Sequence, residues 1–182
     1  MITHNDQMNL FKIIADNITE DIVCYAFGGN AMMFYGYKDD TKDVDLLFLD
    51  EAGRKAFIDA VMRMGFEEKD PVRVYMPEKL LDKNRPLMFV RDGYRLDLFA
   101  GRIFRTQLSP RMKEDFFALH EFRGKKTIKV YVLRKEHIVQ LKAITERDKD
   151  LEDIVTILRK DNGFDWQYLI DEAIWQHSPG DS

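Results

Sequence analysis

One short segment near the N-terminus constrains the fold more than any other part of the chain. Residues 23–27 form an apolar, partly β-branched run that predicts a buried strand, and Gly28-Gly29 ends it. Residues 30–35 then predict one or two helical turns, and a second strand follows from Asp43. The segment therefore predicts a strand, a diglycine turn, a short helix and a return strand in direct succession.

The diglycine turn suits close approach of a ligand. Gly28 and Gly29 stand at a strand-to-helix junction, where glycine lets the backbone adopt unusual angles and come near a bound group. Asn30 is the candidate N-cap of the helix, and a helix start favours a phosphate through its amides and dipole. A lone Gly-Gly pair is more often only a turn, so this feature alone leaves both interpretations open.

The return strand carries two carboxylates on one face. Side chains alternate along a strand, so Asp43 and Asp45 point the same way. Two carboxylates held this close repel each other unless a cation lies between them. Mg²⁺ prefers such hard oxygen ligands, although Asp-x-Asp also occurs on solvated strand ends.

A third aspartate lies in an apolar run much further along the chain. Asp97 is flanked by Leu96, Leu98 and Phe99, which predict a strand packed on the core over residues 94–99. Aspartate is rarely buried without a partner. The partner is either a metal ion shared with the first two aspartates or a salt bridge to a nearby residue, for which the sequence offers Arg95 and Arg102.

These residues together resemble the signature of the nucleotidyltransferase superfamily with the DNA polymerase β-like fold. The segment Thr41-Lys42-Asp43-Val44-Asp45 is similar to the Thr-x-Asp-x-Asp motif of a minimal bacterial and archaeal branch, which includes the abortive-infection toxin nucleotidyltransferases. That branch also carries a lysine, an arginine and paired aspartates on a downstream helix. The resemblance spans residues 21–158, and the matching downstream positions are Lys142, Arg147, Asp150 and Asp153.

The resemblance implies an α+β fold, with a nucleotidyltransferase-like mixed β-sheet flanked by helices and a C-terminal helical segment. Residues 1–133 would form the nucleotidyltransferase core. Residues 134–177 would form helices packed on that core, and residues 178–182 a disordered tail.

The resemblance also implies an activity, namely transfer of a nucleoside monophosphate from a nucleoside triphosphate to an acceptor hydroxyl with release of pyrophosphate. The acceptor would be a tRNA or a protein hydroxyl, and an antitoxin-type protein partner is implied as well. The catalytic and metal-binding residues, for Mg²⁺ or Mn²⁺, would be Asp43, Asp45 and Asp97. The nucleotide-binding residues would be Gly28, Gly29, Asn30, Thr41, Lys42 and Lys142.

The chain departs from the family pattern at one position. Many relatives place an arginine two residues before the threonine, where this chain has Asp39 beside Lys38. If that arginine contacts phosphate or acceptor, the charge must come from elsewhere. Two alternatives to an enzyme remain open: a non-catalytic module that captures a nucleotide or a partner protein, and a structural protein whose acidic strand is solvated surface.

Composition limits the remaining classes of function. A chain of 182 residues suits one domain, or one domain with a small helical extension. Cys24 is the only cysteine, which excludes an internal disulfide, and the sequence lacks a signal pattern or a long apolar segment. We therefore expect a cytoplasmic protein with no membrane contact. The net charge of −4 argues against a general polynucleotide-coating protein, and the four histidines lack zinc-ligand spacing.

The remaining pattern predicts further elements. Asp92-Gly93 predicts a tight hairpin turn, and Gly124-Lys125-Lys126 a second one. Basic residues after the Asp97 strand form either solvated loops or a rim for triphosphate or an RNA-like acceptor; they are Arg102, Arg105, Arg111, Lys113, Arg123, Lys125, Lys126 and Lys129. Helices are predicted over residues 5–19, 51–64, 134–147, 149–160 and 165–176, and strands over 72–75, 87–90 and 127–133.

Overall fold

A seven-stranded mixed β-sheet lies at the centre of the described part of the chain. The structure is a computed structural model and describes residues 1–70, 81–145 and 147–178. The strands of these residues are β1 Ile2–Thr3, β2 Ile22–Phe27, β3 Asp40–Thr41, β4 Val44–Phe48, β5 Glu67–Lys69, β6 Leu87–Arg91, β7 Tyr94–Ala100, β8 Arg102–Ile103, β9 Thr106–Gln107, β10 Ala118–Arg123 and β11 Thr127–Val132.

The helices of the described residues pack against this sheet and one another, and all but the short α4 follow predicted positions. They are α1 His4–Ala15, α2 Gly28–Phe34, α3 Glu51–Arg63, α4 Pro110–Glu114, α5 Lys135–Ala143, α6 Asp148–Lys160 and α7 Trp166–Gln176. The predicted α+β class, with a mixed sheet flanked by helices and a C-terminal helical segment, is therefore confirmed.

The order of strands in the main sheet is β10-β11-β2-β4-β7-β6-β5. The pairs β11–β2 and β4–β7 are parallel, and the other neighbours are antiparallel. Two short ribbons, β1–β3 and β8–β9, lie outside this sheet. The parallel pairing of β4 with β7 matters most for function, because it aligns two strands that are far apart in sequence.

The central strands are buried because both of their faces are covered. On one face Phe48 of β4 packs against Phe57 of α3, with ring centroids 5.1 Å apart. On the same face Cys24 of β2 is fully buried and unpaired, as a small core residue. Alternation then directs Asp45 and Leu47 to the opposite face of the sheet, away from α3. The aspartates of the sequence motif therefore lie on one defined side of the sheet.

Local sequence signals are confirmed wherever they are strong. Asp92 and Gly93 have φ angles of 48° and 83°, as a tight hairpin between β6 and β7 requires. The second predicted hairpin joins β10 to β11. The short strands β1, β3, β5, β8 and β9 and the one-turn helix α4 were not predicted. The strand predicted over residues 72–75 lies outside the described residues.

The C-terminal helices pack on the sheet and on α2. The hydroxyl of Tyr35, at the end of α2, donates to the carbonyl of Leu133 just before α5 (2.9 Å). Ser178 still bonds to the end of α7, and residues 179–182 lie outside the described residues. The division into a core and a helical segment at residue 134 stays a prediction. Within the described residues, no helix combines the length and the apolar character needed to cross a bilayer.

A buried histidine holds α5 to α7. The Nε2 atom of His137 lies 3.0 Å from the hydroxyl of Tyr168, which donates to Asp115 (3.0 Å). The guanidinium of Arg134 lies 4.0 Å from the centre of the Tyr168 ring. Burial lowers the pKa of His137 to about 4, and the charge of Arg134 adds to this lowering while the charge of Glu172 opposes it.

The burial of His137 leads to a prediction about how stability depends on pH. His137 stays neutral in the folded protein but takes up a proton below about pH 6.5 in the unfolded chain, so lowering the pH favours unfolding. We expect wild type to lose about 1 kcal/mol between pH 7.5 and 5.5 relative to His137→Gln, because the variant lacks this titration. Urea denaturation of both proteins at the two pH values measures the difference, and parallel pH profiles would contradict it.

Candidate active site

The three aspartates of the sequence motif converge at one edge of the sheet. Asp45 of β4 lies opposite Phe27 of β2 on one side and opposite Asp97 of β7 on the other. Asp43 directly precedes β4. Each of the three carboxylates places an oxygen within 4.8 Å of the other two. We call these three residues the acidic triad. The structure brings Asp97 together with Asp43 and Asp45, which lie more than fifty positions earlier in the sequence, as the sequence analysis predicted.

The diglycine turn makes room for this arrangement. Gly28 has a φ angle of +71°, and a Cβ atom there would lie 2.3 Å from Oδ2 of Asp45. A Cβ atom on Gly29 would lie 2.6 Å from Oγ1 of Thr41, which is buried. Glycine is therefore required at both positions by close contacts, and Gly28 also by its backbone angle.

Asn30 positions the acidic strand from within α2. The helix begins at Gly28 with Phe27 as its N-cap, so the prediction that Asn30 is the N-cap is wrong. The Asn30 side chain is fully buried, where its amide group donates to the Asp45 carbonyl (3.3 Å) and its oxygen accepts from the Asp45 amide (3.0 Å). This two-way bond fixes the backbone of Asp45.

The acidic triad is electrostatically strained without a cation. Burial raises the pKa of Asp45 well above its usual range, and the neighbouring charges of Asp43 and Asp97 raise it further. The charges of Lys142 and Arg95 offset this only in part. Among the described residues Asp45 forms no salt bridge, whereas the other two members of the triad both contact Arg95.

The donor set of the triad fits a divalent cation. Carboxylate oxygens are the hard ligands that Mg²⁺ and Mn²⁺ accept, and three of them lie close enough to share one ion. The unfavourable charge state of Asp45 gives such an ion a favourable electrostatic environment. The predicted metal residues Asp43, Asp45 and Asp97 are thus brought together; their role as ligands remains a proposal.

A network of charges extends from the triad into the C-terminal helices. Lys142 is buried, and its ammonium group donates to Asp150 (3.0 Å) and Asp153 (2.7 Å). Burial alone would lower the pKa of Lys142, but the hydrogen bonds and charges of the two aspartates outweigh it and raise the pKa. Lys142 is therefore a buried cation held between two carboxylates.

Lys38 brings a second cation to the same network. Its ammonium group binds Asp153 (2.8 Å) and lies 3.8 Å from the place where a Gly29 Cβ would stand. Lys38 thus supplies a positive charge next to the diglycine turn, beside Asp39 in the sequence. Arg147 binds Asp150 (2.6 Å) from the other side.

A cavity of about 400 Å³ opens directly on the acidic triad. Its lining includes the triad, Gly28 and the Lys142–Asp150 pair. Apolar and aromatic side chains line it as well, and the rings of Phe99 and Phe104 meet edge to face at 5.5 Å. The apolar lining residues are Phe27, Phe99, Ile103, Phe104, Leu141 and Ile144.

Comparison with known proteins supports the fold. No protein-family model matches the chain, and no curated protein matches it. Among solved structures, the chain is similar to a provisionally assigned nucleotidyltransferase from Thermotoga maritima, with 15% identity and a TM-score of 0.51. The match covers 88% of this chain and 97% of the other. At this identity the likeness shows a nucleotidyltransferase-like fold and nothing finer.

The predicted nucleotide-binding residues divide into two groups. Gly28 and Lys142 line the cavity together with the triad. Gly29, Asn30 and Thr41 are buried and do not line the cavity, and Lys42 is exposed. The apolar lining of the cavity was missed, because residues such as Phe104 and Ile144 carry no sequence signal that separates a ligand pocket from a core.

The proposed basic rim is only partly present. Arg105 is exposed and lines the cavity. Arg111 instead lies 4.0 Å from Asp171 of α7, and Arg123 pairs with Glu121 on β10 (3.2 Å). These two arginines pair with nearby acidic residues. The basic residues that follow the Asp97 strand therefore do not form one continuous surface at the cavity.

Proposed function

We propose that this protein is a metal-dependent nucleotidyltransferase, which transfers a nucleoside monophosphate from a nucleoside triphosphate to an acceptor hydroxyl. One observation carries the proposal: Asp43, Asp45 and Asp97 converge beside Gly28 in a cavity that apolar and aromatic side chains also line. A nucleotide suits both kinds of lining, because it joins charged phosphates to a flat base. Ligand pockets commonly combine such an apolar lining with a few convergent polar groups.

Each part of the site has a role in this proposal. Asp43 and Asp45 hold Mg²⁺ or Mn²⁺, which supplies charge neutralisation at the reacting phosphate when bound. Gly28, Lys42 and Lys142 contact the nucleotide, and the buried Gly29, Asn30 and Thr41 hold the turn and the acidic strand in place for it. Phe99, Phe104 and Ile144 contact the base.

The reaction exchanges one phosphorus–oxygen bond for another. The acceptor hydroxyl oxygen attacks the α-phosphorus, the bond from that phosphorus to the bridging oxygen breaks, and pyrophosphate leaves with the bonding electrons. The hydroxyl proton passes to a carboxylate of the triad, which we assign to Asp97. A tRNA or protein hydroxyl as acceptor and an antitoxin-type partner are parts of the same proposal, as is a cytoplasmic location.

Transfer of label tests the proposal directly. The protein is incubated with each α-³²P-labelled nucleoside triphosphate, Mg²⁺ or Mn²⁺, and separately with cellular RNA or protein. We expect label in an acceptor with wild type and none with Asp43→Asn. Asp92→Asn is the matched control, because Asp92 is exposed in the β6–β7 turn and asparagine tolerates its positive φ angle. Absence of label transfer with all four nucleotides, or undiminished transfer by Asp43→Asn, would refute the proposed enzymatic activity.

A second candidate is a non-catalytic nucleotide-binding module. One observation favours it: the carboxylate of Asp97 already binds the guanidinium of Arg95 through both oxygens. A module of this kind is expected to gain thermal stability from nucleoside triphosphate and Mg²⁺ without releasing pyrophosphate. Measuring melting temperature and pyrophosphate release in the same samples separates the two candidates.

A further inference from the structure

Arg95 forms an ion pair with Asp97, one of the three carboxylates of the acidic triad. Its Nε atom donates to Oδ1 of Asp97 (2.8 Å) and its Nη2 atom to Oδ2 (2.6 Å), which is a bidentate pair. The same Nη2 atom lies 3.6 Å from Oδ2 of Asp43. Arg95 and Asp97 are two residues apart on β7, so their side chains share the face of the sheet that carries the triad.

The pairing sets up a competition between two kinds of cation. The Asp97 side chain is only 2% exposed, so its two oxygens have little water to replace the guanidinium. A divalent ion held by carboxylates of the triad must approach their oxygens to about 2.1 Å. An ion that uses Asp97 therefore binds an oxygen that already accepts a charge-assisted hydrogen bond, and it meets the positive charge of the guanidinium at close range.

Arg95 neutralises one of the three negative charges of the triad and leaves the rest. A divalent ion would neutralise more charge, but it would also place Arg95 beside another cation. The Arg95 side chain is 23% exposed, so water can solvate the guanidinium when an ion displaces it from Asp97. Asp43 and Asp45 remain the carboxylates that an ion can reach with the least disruption.

We propose that Arg95 is a built-in counter-ion of the triad, which keeps Asp97 and Asp43 paired in the metal-free protein and has to be displaced for full metal coordination. Arg95 therefore weakens divalent-metal binding and protects the metal-free fold. This inference rests on the proposed metal site. The opposite role is that Arg95 only orients Asp97 for the metal, in which case its removal would weaken binding.

Metal affinity measured by calorimetry with Mn²⁺ separates the two roles by sign. We expect Arg95→Gln to bind Mn²⁺ about tenfold more tightly than wild type, the amount that corresponds to one charge-assisted hydrogen bond. We also expect a lower melting temperature for Arg95→Gln in EDTA and a larger rise when Mn²⁺ is added. Arg95→Lys keeps the charge but loses the planar fork, so it should bind Mn²⁺ with intermediate affinity.

A matched control comes from another arginine–carboxylate pair at the same strand spacing. Arg123 binds Glu121 two residues away on β10 (3.2 Å), and its side chain is 80% exposed. Arg123→Gln should leave Mn²⁺ affinity unchanged. If Arg95→Gln folds only with metal, the proposal is supported; if it does not fold at all, the affinity of Arg95→Lys decides.

Two negative outcomes have different meanings. Wild type that binds Mn²⁺ as tightly as Arg95→Gln, or more tightly, overturns the counter-ion role and leaves the nucleotidyltransferase proposal intact. Absence of Mn²⁺ binding by wild type and by both Arg95 variants overturns the counter-ion role together with the metal site on which the proposed function depends.

Discussion

Asp45→Asn is expected to abolish nucleotidyl transfer while making the metal-free protein more stable. Asp45 is the member of the triad that forms no salt bridge among the described residues, and its pKa is raised by burial and by two neighbouring carboxylates. Asparagine has the same shape without the charge, so the repulsion disappears. We expect a gain of about 1 kcal/mol in the free energy of unfolding in EDTA.

The loss of activity has a separate cause. A neutral amide is a poor ligand for Mg²⁺ compared with a carboxylate, and electrostatic stabilisation of the reacting phosphate depends on the ion. We expect transfer to fall by about 10²- to 10³-fold, the range typical of losing one principal electrostatic group. Single-turnover label transfer measures the activity, and urea denaturation in EDTA measures the stability.

The pH dependence of the stability gain provides an internal control. The raised pKa means that folded Asp45 holds a proton more tightly than the unfolded chain does, so Asp45 costs stability as pH rises through that pKa. The advantage of asparagine should therefore be largest at neutral and higher pH and should fade in acid. Asp92→Asn should show neither effect. Loss of stability in Asp45→Asn at neutral pH would contradict the electrostatic account.

Local signals in the sequence were sufficient to predict the strand–turn–helix–strand segment that carries Gly28 and the Asp-x-Asp motif. An apolar run before Gly28, a short helix and an Asp-x-Asp strand fix β2, α2 and β4 by propensity and periodicity alone. Asp97 could be singled out because a carboxylate in an apolar run needs a partner. Both carboxylate partners that the sequence left open, a shared metal site and Arg95, are compatible with the observed geometry.

Long-range pairing limited what could be predicted elsewhere. No local pattern reveals that Asp45 lies opposite Asp97, since the register of β4 and β7 depends on packing across about fifty intervening residues. The burial of Lys142 could not be predicted, because its partners, Asp150 and Asp153, lie on the following helix. Asn30 was misassigned for the same reason: its preference for helix starts is local, whereas its actual partner is the backbone of a neighbouring strand.

Asn30→Ala is expected to cause the largest loss of stability among single substitutions around the site. The Asn30 side chain satisfies both the amide and the carbonyl of Asp45 in a fully buried position. Alanine removes both hydrogen bonds and leaves those backbone groups without their partner away from water. We expect a loss of about 2–4 kcal/mol in the free energy of unfolding, measured by urea denaturation.

A surface asparagine gives the matched control for this substitution. Asn17 also donates its amide to a backbone carbonyl, that of Ile13 (2.8 Å), but does so at an exposed helix end. Water can replace that bond, so Asn17→Ala should cost less than about 1 kcal/mol. Because Asn30 holds the backbone of Asp45, Asn30→Ala should also weaken Mn²⁺ binding, even where the protein remains folded. Equal losses for the two alanine variants, with unchanged Mn²⁺ affinity, would show that Asn30 does not position the acidic triad.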